Sequence, residues 1–300
     1  MNQIWVESRG VGRLYPSESP AVGLDDRGFA YGDGLFETIR LRGGAPLFFA
    51  RHMARLRHGL AQLGFPQLPW DEAALFARCR RVIAANALSD GVLKLIVTRG
   101  TGPRGFEPPA ESHPTLFIQA DAPLPSGGVA DGRGAGGAGR GIAAVLAPWK
   151  IDPASPLCRV KHLGALDKVL ARQFAQQHGA DEALFINLDG HLTEATACNL
   201  FLVGGEKIFT PALHCGLLPG IARGLLIETA HALPLPVIET EIPVIRLDEA
   251  NEAFLTNVVA GVRPLVRVGD RPIGSGEPGP ITRGVQKLFE QIQIGGSYAC

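Results

Sequence analysis

Apolar and polar positions along the chain repeat with two periods, and the period switches from segment to segment. IWVE near the start and the run from Phe36 to Arg42 read as extended stretches. In ARHMARLRHGLAQLG, Met53, Leu56, Leu60 and Leu63 fall on one side of a helix, and Gly64 stops it. Asp71 offers its carboxylate as the N-cap of a second helix through Ala87. GVLKLIVTRG and TLFIQA return to strand patterning. Strands and helices in separate runs predict an α+β fold.

Residues 122–141, APLPSGGVADGRGAGGAGRG, hold neither period. They read as a connection or extended loop between a small N-terminal α/β domain, 1–121, and a larger domain, 142–300. No GK[ST] follows these glycines, so they are not a phosphate loop. Beyond them, IAAVLAPWK is a strand. A helical pattern runs from Lys161 to Gln177, with Leu166, Val169, Leu170 and Phe174 on one face and Gly179 as its stop. Asp189-Gly190 between two apolar runs signals a hairpin, and NLFLVGGEKIFTP a second one. A helix starts at Pro219-Gly220, and strand-like stretches follow at PVIETEI, AFLTNVV and LVRV. PITRGVQKLFEQIQ closes as a helix, with Val285, Leu288, Phe289 and Ile292 on one side. There is no internal repeat.

Composition narrows the class. With 46% hydrophobic residues, 300 residues can bury a substantial core. A formal net charge of 0 argues against a nucleic-acid surface built on bulk positive charge. The cysteines, at 79, 158, 198, 215 and 300, are scattered without a CxxC. That suggests reduced thiols in a cytoplasmic protein, with neither a disulfide framework nor a metal site. The start, MNQIWVESRG, has no signal-peptide core, and no apolar run is long enough to span a membrane.

Six lysines limit any amine chemistry: Lys94, Lys150, Lys161, Lys168, Lys207 and Lys287. Lys168 and Lys287 sit on helix faces among polar neighbours. Lys161, in CRVKHLGALDKVL, stands where an extended stretch meets a helix. Rigid elements on both sides could hold its ammonium in a cleft where its pKa falls. An ordinary helix-start lysine is the alternative. Glu194 lies just past the Asp189-Gly190 hairpin, before the small residues Ala195, Thr196 and Ala197. A carboxylate so flanked can meet something flat, such as a protonated ring nitrogen, or simply face solvent. Pro219-Gly220-Ile221-Ala222 opens a helix whose N–H groups suit an anion, and Arg55 lies on the inner side of its helix. Thr256 and Asn257 end a strand beside small residues.

The stretch DRGFAYGDGLFETIR mixes Asp26, Asp33 and Glu37 with three glycines, Phe29 and Tyr31. Strands avoid Gly and Asp, and a plain surface turn would not carry Tyr31, Leu35, Phe36 and Ile39 together. The stretch is either a tight approach to a small molecule or a bend before a strand.

Taken in order, these segments resemble the fold-type IV enzymes that use pyridoxal 5'-phosphate (PLP). That family includes branched-chain and D-amino-acid transaminases and 4-amino-4-deoxychorismate lyase. RGFAYGDGLFETIR resembles its opening motif, and the likeness runs over nearly the whole chain. It implies a small N-terminal domain and a larger one with a β-barrel-like sheet and helices. HMARL resembles the helix whose arginine binds the PLP phosphate, here Arg55. VKHLGALDKVLAR resembles the segment of the Schiff-base lysine, which makes Lys161 that residue, and TEATACNLF implies Glu194 as the partner of the pyridine nitrogen. LLPGIAR implies phosphate contacts from the N–H groups of Ile221 and Ala222, and LTNVVAGVRPL implies Asn257, Val258 and Val259. By the same resemblance the opening motif faces the cofactor, its glycines let backbone approach the substrate, and Tyr31 points at the substrate side of the ring. Thr38 lies beside the substrate, and Arg99 and Arg104 of VTRGTGPRG are available for its carboxylate. Family members are usually homodimers acting on small-molecule amines.

RGFAYGDGLFET, VKHL and ADEALFINLDG look most like the lyase, whereas LLPGIAR and VTRGTGPR look equally like the transaminases. The chain departs from the lyase pattern at HLGAL, where an asparagine usually follows HL, and in the Gly-rich run. The resemblance therefore implies a lyase giving p-aminobenzoate and pyruvate, placed in folate synthesis. The alternative is a transaminase of D-amino acids or branched-chain L-amino acids with a 2-oxo acid acceptor. A non-catalytic PLP-binding protein is a third reading.

Overall fold

A computed structural model describes residues 2–19, 22–123, 141–233 and 235–295. Most of the Gly-rich run lies outside the described residues. The chain divides into two compact units. One comprises the described parts of Met1–Pro123, Val160–Gly164 and Gly295–Cys300; the other comprises the described parts of Leu124–Arg159 and Ala165–Ile294. The short stretch Val160–Gly164, which carries Lys161, thus belongs with the N-terminal unit although it interrupts the later part of the sequence.

The first unit contains β1 (Gln3–Ser8), β2 (Val11–Pro16), α1 (Arg27–Tyr31), β3 (Gly34–Arg42), β4 (Ala45–Pro46), α2 (Phe49–Gln62), α3 (Glu72–Ala85), β5 (Gly91–Thr98) and β6 (Thr115–Asp121). Its sheet has the order β2-β1-β6-β5-β3-β4, and every pairing is antiparallel. Leu35, Ile39 and Leu41 of β3 alternate inward and join Leu93, Leu95 and Val97 of β5 in one core. Met53, Leu56 and Leu60 of α2 and Val82 and Ile83 of α3 close over it. Asp71 caps α3 through the Ala74 N–H at 2.7 Å, and the helix ends two residues before Ala87.

The second unit contains β7 (Ile142–Ile151), α4 (Leu166–Gln177), β8 (Glu182–Asn187), β9 (Leu192–Ala195), β10 (Asn199–Gly204), β11 (Lys207–Pro211) and α5 (Ile221–Glu228). It continues with β12 (Val237–Thr240), α6 (Arg246–Glu249), β13 (Glu252–Asn257), β14 (Gly261–Val268), β15 (Arg271–Pro272) and α7 (Pro280–Gly295). The path β10-β13-β14-β7-β8-β9 closes on itself because β9 also pairs β10, through Asn199 and Glu194. A closed ring leaves no free edge within it. Leu184, Leu192, Leu200, Leu202, Leu255 and Leu265 pack in one cluster of this unit. Both expected hairpins form, β8–β9 and β10–β11.

Two expectations for the segment after Arg159 need correction. The helix begins at Leu166, not Lys161. Residues before it are extended: the Phe36 N–H donates to the Lys161 carbonyl at 3.0 Å, and the Leu163 N–H to the Gly34 carbonyl at 2.9 Å. Backbone pairing with β3 outweighs the weak helical pattern there, and Gly164 ends the pairing. The buried face of α4 also differs. Ala171 and Ala175 pack on Val145, Ala183 and Phe185, while Leu166, Val169 and Leu170 are exposed. Small side chains let the helix lie close to β7 and β8, with Phe174 packed beside them; Leu166, Val169 and Leu170 point the other way.

Candidate active site

In the first unit the opening motif folds as a cap, a single helical turn and a strand. Asp26 caps α1 through the Gly28 N–H at 2.8 Å, and Gly32, at φ 68°, turns the chain into β3. Two of the glycines serve the lysine segment. A Cβ on Gly32 would sit 3.1 Å from the Gly164 backbone, and one on Gly34 would sit 2.7 Å from Leu163. Only glycine lets Val160–Gly164 dock so closely. Lys161 is half-buried there, with its Nζ 4.3 Å from the centre of the Phe36 ring.

Alternation along β3 sends Glu37 inward, onto α2. Arg55 grips its carboxylate with two donors, Nε to Oε1 at 2.8 Å and Nη2 to Oε2 at 2.6 Å. His52 Nδ1 lies 2.7 Å from Oε2. His52 and Arg55 are one helical turn apart and meet the same carboxylate. Burial pushes the Glu37 carboxyl up, but Arg55 and then His52 pull it down further, to about 2. Burial also keeps the His52 imidazole below its ordinary value, against the pull of Glu37; Arg55 and Lys161 add to the lowering. Glu37 is thus an anion at neutral pH and fixes the orientation of the Arg55 guanidinium. Thr38, next along β3, lies on the half-buried opposite face.

A second cluster ties the loop after β5 to α1. Asp33 accepts from Arg27 Nε at 2.9 Å and Arg99 Nε at 2.7 Å. Arg27 also donates to the carbonyls of Gly105 and Phe106 and lies over the Tyr31 ring. The Gly105 N–H donates to the Tyr31 hydroxyl at 2.9 Å, and Phe106 stacks edge-on against Tyr31 at 5.7 Å. Arg99 is 3% exposed, and its other nitrogens donate to the carbonyls of Leu63 and Gly64. Arg99 is therefore a brace, correcting its expected role as a carboxylate ligand. Arg104 is exposed at the loop and has no ion-pair partner among the described residues.

In the second unit, the ends of β9, β10 and β13 and the start of α5 are pinned together. Glu194 Oε2 accepts the Leu218 N–H at 3.1 Å, and Asn199 Nδ2 donates to the Leu218 carbonyl at 3.0 Å. Leu218 is held from both sides, two residues before the α5 N-cap. That cap, Gly220, has no side chain to offer, and a Cβ there would meet Asn199 Oδ1 at 1.8 Å. Ile221 and Ala222 follow, both buried, and the N-cap residue gives the helix start no side-chain hydrogen bond. Asn199 pairs across with Thr256, whose buried hydroxyl has no hydrogen-bond partner among the described residues. Asn257 donates to the Ala197 carbonyl at 3.2 Å, and its Oδ1 accepts the N–H groups of Val259 at 3.0 Å and Ala260 at 2.7 Å. Asn257 therefore shapes the turn, and the Val259 N–H is spent within it. Gln293 holds the Val258 carbonyl at 3.0 Å.

Lys168 is the residue that sequence reasoning missed. Its Nζ lies 2.7 Å from Glu194 Oε1, in the same unit. In the sequence it sits on a polar helix face, which reads as solvated. The available signal was its position seven residues after Lys161, in the first turn of the helix that leads directly into β8 and β9.

Comparison with known proteins identifies the class. The amino-transferase class IV family matches residues 34–268. A D-alanine aminotransferase of Bacillus licheniformis is 32% identical over 285 residues, covering 93% of this chain and 94% of that protein. The structure of 4-amino-4-deoxychorismate lyase from Pseudomonas aeruginosa superposes with a TM-score of 0.78 at 32% identity, covering 98% of this chain and all of that one, 100%. Escherichia coli branched-chain amino acid aminotransferase superposes with a TM-score of 0.88 at 27% identity, covering 98% and 95% of the two chains. The chain belongs to the class IV aminotransferases, PLP-dependent enzymes of the two-domain α+β fold-type IV architecture. The non-catalytic reading falls with this assignment.

The residues present fit that cofactor. An uncapped helix start, a glycine with no room for a Cβ and an unpartnered buried hydroxyl together suit a phosphate. Glu194, an acceptor-only group when ionised, suits a protonated ring nitrogen. No cluster of metal ligands occurs among the described residues, and none of their helices is long and apolar enough to cross a membrane.

Proposed function

We propose that this enzyme is a 4-amino-4-deoxychorismate lyase that gives p-aminobenzoate and pyruvate and serves folate synthesis as a cytoplasmic homodimer. The observation that carries this reading is the exposed aromatic pair Tyr31–Phe106, two residues from the exposed Arg104, which has no ion-pair partner among the described residues. A substrate with an unsaturated six-membered ring and two carboxylates can use the exposed surface of this aromatic pair and the Arg104 guanidinium. Alanine has nothing to lay on such a wall.

In this reading Lys161 holds PLP by its amine, Glu194 meets the pyridine nitrogen, and Arg55 contacts the phosphate. The N–H groups of Ile221 and Ala222 and the turn at Asn257-Val258, which Val259 closes through its own N–H, complete the phosphate site. When bound, PLP supplies an electron sink. Lys161 would hold the cofactor, and its Nζ, when free, would take the proton from the substrate ring carbon bearing nitrogen. The C–O bond to the enolpyruvyl group breaks, its electrons leave with the oxygen, and the departing enol regains a proton as pyruvate. The ring left behind is aromatic. Thr38 and Tyr31 border the substrate, and Arg104 takes a carboxylate.

Transamination of D-amino acids or branched-chain L-amino acids with a 2-oxo acid is the second reading. It is favoured by the identity to the D-alanine aminotransferase, which equals that to the lyase. The test supplies PLP-loaded protein with aminodeoxychorismate generated in situ and follows p-aminobenzoate and pyruvate. Fast, equimolar formation that Lys161→Ala abolishes is expected. Absence of both products, with turnover of a D- or L-amino acid and a 2-oxo acid, would establish the second reading instead.

A further inference from the structure

Glu194 does not stand alone. Its Oε2 takes the Leu218 N–H at 3.1 Å and its Oε1 takes the Lys168 ammonium at 2.7 Å. The pair is sheltered: the Glu194 side chain is 11% exposed and that of Lys168 31%. A carboxylate has about four lone-pair positions. Two are used here, leaving room for a ring nitrogen without displacing Lys168. We propose that Lys168 is a positioning residue that shares the Glu194 carboxylate with the cofactor's pyridine nitrogen and so weakens the proton hold of that nitrogen; the proposal rests on Glu194 being the nitrogen's partner.

The cause is electrostatic. A lone carboxylate in a sheltered place favours a proton on whatever base it faces. An ammonium in contact with it cancels much of that field. The pair then acts as a dipole that holds and aims the carboxylate but attracts the ring proton less. Burial pulls the Lys168 ammonium down, yet Glu194 lifts it above its ordinary value, so it stays charged at neutral pH. Other groups that bear on it are Asp167 on its own helix and Cys158 of the short turn at Pro156–Arg159. Cys158 is itself raised, first by burial and then by Glu194, and so is uncharged. Asp167 adds to the lift on Lys168 and does not replace it beside Glu194. Arg172, on the same helix, is engaged by Glu182 at 2.9 Å and takes no part.

The test reads the nitrogen directly. Holoenzyme is reconstituted with PLP labelled with nitrogen-15 at the ring, and the pyridine resonance is followed against pH in wild type, Lys168→Met, Lys168→Gln, Lys168→Arg and Glu194→Gln. Lys168→Met and Lys168→Gln should raise the midpoint at which the nitrogen loses its proton by about one pH unit. Lys168→Arg, which keeps the charge, should stay near wild type. Glu194→Gln should lower the midpoint. If Glu194→Gln shifts the resonance and neither neutral Lys168 variant does, the role of Lys168 is refuted while that of Glu194 stands. If Glu194→Gln also leaves it unmoved, both fall. Two neutral variants of different polarity guard against one failing to fold.

Discussion

Replacing Glu37 with Gln removes the charge that holds the first unit's polar core together. Glu37 is 1% exposed and bonded to Arg55 twice and to His52 once. Its pKa falls from 4.5 to about 2 on folding. That difference corresponds to about 3 kcal/mol of stability at neutral pH. Breaking one member of a buried ion pair independently suggests about 3–5 kcal/mol. Urea unfolding of the apo protein at pH 7 measures it. Trp5 and Trp70 lie in the core of this unit and report its fluorescence. We expect Glu37→Gln to lose about 3 kcal/mol, and Arg55→Gln to cost much less in that background than in wild type. The pH sign follows. A lowered carboxyl contributes fully above its ordinary value of 4.5 and loses that contribution as pH falls toward 2. With His52 replaced by Asn in both chains, to remove its own titration, the deficit should narrow as pH falls below 4.5. A loss under about 1 kcal/mol at pH 7, or full additivity of the two substitutions, would refute the account.

Two further outcomes follow from packing. Gly220→Ala forces a Cβ against Asn199 Oδ1, so the start of α5 must move; PLP binding measured by absorbance titration should weaken at least tenfold, with the thermal midpoint of the apo protein changing far less. Burial pushes the Cys79 and Cys198 thiols up to about 12, so a thiol reagent at pH 8 should label neither until the protein is unfolded, as mass spectrometry of the modified peptides would show.

The local periods of the sequence determined much of this fold. The spacing of Met53, Leu56 and Leu60 gives α2, Asp71 caps α3, and Asp189-Gly190 turns β8 into β9. Those signals are local, carried by side chains within a few residues of each other. The motifs around Lys161 and Glu194 were also legible, as a family resemblance. What could not be read was decided by partners distant in the chain. Lys161 is extended because β3, over a hundred residues earlier, offers its backbone. Leu166, Val169 and Leu170 lie outside because Ala171 and Ala175 pack closer to the sheet. Arg99 and Arg104 are five positions apart and chemically alike, yet one is locked to Asp33 and the Leu63-Gly64 carbonyls and the other faces solvent. Lys168 reaches Glu194 only because α4 lies across β7 and β8, which lead into β9. A charge in a sequence has a sign but no neighbours; which charges meet is settled when the sheets close, because burial then compels each ion to find a partner.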